Sequence, residues 1–154
     1  MKQEEILRQW RRTLGISARE YQNIISAVGQ VYPMIVWANL TKNTYSMLRN
    51  DDFLSWSIES TGTFDSMIDE GVQNIHPNYQ QVFLDCFSRE SLLKSFNDGK
   101  TDVYAELYQK AHDGRYQWVS THAIRVEVES DDIIEICLNR VLDGVVKTTY
   151  ADRK

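Results

Sequence analysis

The run His112-Asp113-Gly114-Arg115-Tyr116-Gln117-Trp118-Val119 forces the chain to reverse between two segments of β character. Glycine takes positive φ without steric penalty and aspartate suits a turn, so Asp113-Gly114 marks a hairpin. Residues 102–111 and 115–128 flank it, and a third β-type segment, 132–142, follows an acidic turn at Ser130-Asp131. Three successive strands joined by short turns predict an antiparallel arrangement in the last third of the chain.

Upstream the periodicity changes. Ile6, Leu7, Trp10 and Leu14 recur at helical spacing over residues 2–14, and Gly15 stands where helices commonly end. Ser17-Ala18-Arg19-Glu20 fits a capping box, after which Tyr21, Ile24, Ile25 and Val28 form an apolar stripe. Pro33 stops this pattern, and residues 34–40, 41–43 and 44–48 read as strand, turn and strand. Between Asp51 and Asp98 the β signal is missing. Helical spacing covers 64–72, and a longer helix is expected from Pro77 through Phe87 towards Phe96, with Phe83, Leu84, Phe87 and Leu92 on its apolar face. The expected order is β-β-α-α-α-β-β-β after two N-terminal helices, an α+β chain.

At 154 residues, 42% hydrophobic and 25% charged, the chain suits one domain with one core. Two prolines, seven glycines and no low-complexity tract argue against disorder and long linkers. The charged start, Met1 to Glu5, is unlike the apolar core of a signal peptide, and the apolar runs are too short for a bilayer. Cys86 and Cys137 lie in apolar surroundings without metal-type spacing, which points to reduced thiols and a cytoplasmic setting. Net charge is −5, and residues 50–90 hold eight acids against the single base Arg89, a balance that repels phosphate backbones and argues against nucleic acid. Residues 1–30 carry five Lys/Arg against three Glu, too sparse for a membrane or nucleic-acid patch.

His76-Pro77 at a helix start, Glu106 seven residues before Asp113, the run Asp113-Gly114-Arg115-Tyr116 with Trp118-Val119, and Asp143 after the last strand together resemble the PAS family over about residues 33–143. This form of the motifs is similar to the branch often fused to bacterial diguanylate cyclases and histidine kinases. Two positions depart from it: Tyr108 stands where many members carry Arg, and Gly144-Val145 where many carry Ile-Thr. The resemblance implies a PAS-like antiparallel five-stranded sheet with helices on one face, preceded by N-terminal amphipathic helices. Residues 1–30 would form the helical segment, 31–143 the sensor domain and 144–154 the exit linker. It implies a regulator and not an enzyme: a sensor or dimerisation module, excised or stand-alone, whose output enzyme lies outside this chain.

Strand alternation, registered on the Asp-Gly turn of ligand-binding relatives, sends Leu107 and Gln109, then Val119, Thr121 and Ala123, then Cys137, Asn139 and Val141 to one face. Gln109, Thr121 and Asn139 there need hydrogen-bond partners, which a ligand, ordered water or neighbouring protein groups would supply. The opposite alternation holds Tyr116, Trp118, His122, Ile124, Ile134, Ile136, Leu138 and Leu142, an apolar face that requires a cover. The N-terminal helices, through Trp10, Leu14, Ile24 and Ile25, would cover it within one chain or across a homodimer, with Trp118, Ile136 and Leu138 on the sheet side.

His76, His112 and His122 are spread over a helix start, a hairpin mouth and an outward strand position, so no metal site is expected. Relatives that hold haem carry a histidine on the long helix, and those that hold photoactive flavin carry a cysteine before it; this chain has no histidine between Pro77 and Phe96 and no cysteine within 62–75, and Cys86 comes too late to serve, which disfavours both and leaves any cofactor unidentified. Neither a Gly-x-Ser-x-Gly elbow nor a phosphate-binding glycine loop occurs. The alternatives are a small α+β cone-fold enzyme with Glu106 or His122 as base, or a structural module without ligand.

Overall fold

The computed structural model describes residues 4–6, 8, 17–51 and 58–142. Trp10, Leu14, Asp143, Gly144-Val145 and the proposed exit segment 144–154 lie outside them, and of the helix expected over 2–14 only positions 4–6 and 8 are described, as helical.

The capping box opens helix α1 (Ala18–Gly29). Ser17 Oγ accepts the Glu20 amide at 3.2 Å, and the Glu20 carboxylate accepts the Ser17 amide at 3.5 Å. Strand β1 (Met34–Asn39) then turns back into β2 (Thr44–Asn50) through Asn43, whose φ of 59° lies in the left-handed region that asparagine tolerates. The Asn43 side chain also ties the turn to the helical layer, accepting the Asp65 amide at 3.0 Å and donating to Asp65 Oδ2 at 3.1 Å. A short strand β3 (Thr61–Thr63) leads into α2 (Phe64–Val72), a 3-10 turn at Pro77–Tyr79, α3 (Gln80–Phe87) and α4 (Arg89–Asn97). Strands β4 (Asp102–Lys110), β5 (Tyr116–Val126) and β6 (Ile134–Val141) complete the described chain.

All six strands form one antiparallel sheet in the order β3-β2-β1-β6-β5-β4. The N-terminal hairpin and the C-terminal three strands therefore join through β1 and β6. This central position leaves all six residues of β1 buried.

Two expectations need correction. The sheet has six strands and not five, because Thr61–Thr63 pairs with Thr44, Tyr45 and Ser46. The long helix is broken: Ser88, at φ −62° and ψ 152°, ends α3 and caps α4 by accepting the Ser91 amide at 3.2 Å.

The sheet has a core on each face. On one, α2, α3 and α4 bury Phe64, Met67, Phe83, Phe87, Leu92 and Phe96 against Val36, Ala38, Leu107 and Ala123. On the other, Ile6, Tyr21 and Ile25 pack on Ile35, Trp37, Leu48 and Ile134, with Ile136 and Leu138 partly buried beside them. Plain alternation along β2 puts Tyr45 in the first core and Leu48 in the second, and the register shift between Ile35 and Val36 then sets Arg49 opposite Ile35. The apolar sheet face is thus covered over β1, β2 and β6 by the chain's own N-terminal segment.

Candidate ligand cavity

Between the sheet and the α2–α4 layer lies a cavity of about 60 Å³. Helix side chains Phe64, Met67, Ile68, Phe83, Phe87 and Leu92 form its apolar wall together with Gly71. The sheet contributes Met34 and Val36 from β1, Gln109 from β4, Thr121 from β5, and Glu135, Cys137 and Asn139 from β6. Ile75 closes the β4 end: it bridges to Gln109, held by His76 N donating to Tyr108 O and Lys110 N to Asn74 O, both at 2.8 Å.

Alternation places the polar set. Residues two apart on one strand share a face, so Glu135, Cys137 and Asn139 all point inward while Ile134, Ile136 and Leu138 point to the second core. Thr121 and Asn139 are cross-strand partners, and Thr121 Oγ1 donates to Asn139 Oδ1 at 2.9 Å in a buried bond. Asn139 Nδ2 lies 3.7 Å from Cys137 Sγ.

Glu135 is different. It is 1% exposed, and its Oε1 has no hydrogen-bond partner. Burial alone pushes its pKa up to about 8, because a charged carboxylate loses its hydration there without a compensating cation. Arg125 faces Glu135 across the β5–β6 pair, but its guanidinium donates to Phe96 O at 3.3 Å. The Cys137 thiol is pushed well above its usual value by burial first and by the neighbouring Glu135 charge second. Cys137 is half-buried and lines the cavity.

Of the residues predicted to meet a ligand, the structure brings Gln109, Thr121, Cys137 and Asn139 together in the cavity wall. Leu107, Val119 and Ala123 are fully buried but do not line it. Val141, also expected inward, is 37% exposed, because β1 starts opposite Asn139 and offers no neighbour further along β6. To the polar set expected there, Gln109, Thr121 and Asn139, the structure adds Glu135, which the same alternation places two residues before Cys137.

Of the predicted interface residues, Ile25 is buried beneath α1 and Ile24 is 38% exposed. Trp118 belongs to an aromatic cluster by the hairpin: its ring lies 5.4 Å from Tyr79 and 5.2 Å from Tyr108, and Tyr108 stacks on Tyr116 at 5.4 Å. His76 joins this cluster 5.0 Å from Tyr116 and caps the 3-10 turn by accepting the Asn78 amide at 3.1 Å. Glu106 and His122, the bases of the enzyme alternative, share strand parity with the second core and not with the cavity. Tyr104 donates to Glu106 Oε2 at 2.6 Å, and His122 Nε2 lies 2.6 Å from Asp102 Oδ2, a contact that holds the Asp102 carboxyl below its usual range. Among the described residues no group of three or more His, Cys, Asp and Glu is placed to hold a metal ion, and no helix is long and apolar enough to cross a membrane.

No family model and no curated protein matches the sequence. Solved structures do match its shape. A sensory box histidine kinase/response regulator from Burkholderia thailandensis superposes with a TM-score of 0.54 at 11% identity, over 87% of this chain and 92% of that one. The N-terminal domain of a diguanylate cyclase with PAS/PAC sensor from Marinobacter aquaeolei gives 0.47 at 16% identity, over 75% and 98%. The chain has an α+β, PAS-like fold, with a sixth strand added at the β2 edge of the sheet.

Proposed function

We propose that this chain is a sensor module in a signalling protein: a small molecule held between the sheet and the α2–α4 layer alters how the module acts on an attached or associated output. The observation that carries this reading is Glu135, a buried carboxyl with an unpartnered oxygen in the wall of a cavity. A side chain that only stabilised the core would be apolar or paired there, since an unsatisfied buried polar group costs about 1–3 kcal/mol and a charged one more. The PAS-like fold supports a regulator over an enzyme, as does the separation of Glu106 and His122 from the cavity. A histidine kinase or diguanylate cyclase is the output class this reading favours, in a cytoplasmic setting. Exposed Ile24 and the partly exposed Trp118 cluster would supply contacts for a homodimer.

Native mass spectrometry of the purified protein, repeated after denaturation, tests both parts. A released small molecule and an even subunit count support a ligand-responsive dimer. A bare protein that no small molecule stabilises against heat would overturn the ligand role, and a monomer at high concentration would overturn the dimer.

A further inference from the structure

We propose that the cavity takes a small aliphatic amine, its carbon chain against the helix side chains and its nitrogen on the Glu135 carboxylate. This inference rests on the sensor reading above and names the class of molecule sensed.

Three observations lead to it. First, the one carboxyl in the cavity wall has an oxygen without a partner, and its cross-strand partner Arg125 donates to Phe96 O instead. Among the described residues no cation pairs with Glu135, so the carboxyl is open to one supplied by a ligand. Second, the opposite wall, with Phe64, Met67 and Phe87, offers no polar group, so only the end of a ligand nearest the sheet is polar. Third, a volume of about 60 Å³ is small. At roughly 15 Å³ per water-sized site it holds about four such sites, which fits a chain of three carbons bearing one nitrogen.

The charge balance favours an amine over other small polar molecules. A neutral amine entering beside a protonated Glu135 accepts that proton. The O–H bond breaks, an N–H bond forms, and the product is an ammonium–carboxylate pair with no net charge added to the interior. Charge-assisted hydrogen bonds of this kind are about twice as strong as neutral ones. An alcohol of the same length gains only a neutral bond, and a carboxylate would place two like charges together.

The test uses the whole chain with three probes of equal length: n-propylamine, n-propanol and propionate, at matched ionic strength near neutral pH. Calorimetric titration should show saturable binding of the amine, a weaker response to the alcohol and none to propionate. Glu135→Gln should weaken the amine roughly tenfold or more and leave the alcohol unchanged. The carboxyl carbon shift of Glu135 in the unsubstituted protein, followed by NMR, should move to the ionised value as amine is added, so the result does not depend on the variant folding. Equal binding of amine and alcohol in both proteins would overturn the amine assignment while leaving a ligand cavity in place. No amine binding, or amine binding without a change at the Glu135 carboxyl, would overturn the inference outright; the mass-spectrometric search for a retained molecule decides the sensor reading separately.

Discussion

Thr121 and Asn139 meet across β5 and β6 through a buried hydrogen bond of 2.9 Å, which fixes the Asn139 amide on the sheet side of the cavity. Thr121→Val keeps the branched shape but removes the donor, leaving a buried carbonyl oxygen without it. The expected loss is about 1–2 kcal/mol in urea unfolding. Stability equal to the parent protein would mean that this bond contributes nothing in solution.

Glu135 sets a pH dependence of unusual sign. Its folded pKa of about 8 lies above the unfolded value of 4.5, so the native state keeps a proton that the unfolded chain has released. Stability from this group is highest at and below about pH 4.5, falls as pH rises through the window up to about 8, and is level above it. The fall should be roughly 3–5 kcal/mol. Glu135→Gln, which carries no charge to bury, should flatten this slope and unfold at higher temperature than the parent above pH 8. Parallel melting profiles for the two proteins from pH 5 to pH 9 would contradict the placement of Glu135. At acid pH the sign reverses for Asp102 and Asp113, whose lowered pKa values add stability that is lost as they protonate.

Gly114 adopts φ +85°, and a Cβ there would meet no atom within 4 Å. Gly114→Ala should therefore cost only its backbone conformation, about 1–2 kcal/mol. The neighbouring Asp113 carboxylate accepts the Arg115 amide at 3.0 Å, so the hairpin should persist in the variant. Thermal melting with a circular dichroism readout checks both points: a lowered midpoint and an unchanged β spectrum.

Helix α1 is held by Ile25, 8% exposed in the core formed with Ile35, Trp37 and Ile134. Ile25→Ala should destabilise by about 2–4 kcal/mol, whereas the same change at the exposed Ile24 should have little effect. Equal effects at the two positions, measured by denaturant unfolding, would show that α1 does not lie on the sheet in the observed orientation.

The C-terminal strands and α1 were legible because each obeys one strong local rule. Asp113-Gly114 fixes the reversal between β4 and β5, and Ser17 with Glu20 fixes the start of α1. The break at Ser88 was hidden because Phe83, Phe87, Leu92 and Phe96 keep near-helical spacing across it, and the serine cap is one residue within that apolar pattern. Strand β3 has three exposed residues and no buried alternation; it depends on pairing with β2, where the Tyr45 ring lies against Gly62. Glu135 carries no inward signal of its own, because charge in a strand ordinarily marks the solvent face. Stepping back two residues from Cys137 would have found it, since strand geometry places both on the same side.

The central claim is that the apolar core between the sheet and the helices encloses a cavity with an unpartnered carboxyl, Glu135, in its wall. It is tested most directly by the NMR titration of the Glu135 carboxyl carbon in refolded, ligand-free protein. The account predicts a midpoint of about 8. A midpoint near 4.5 would mean that Glu135 meets water or a cation, and would contradict the cavity site built on it.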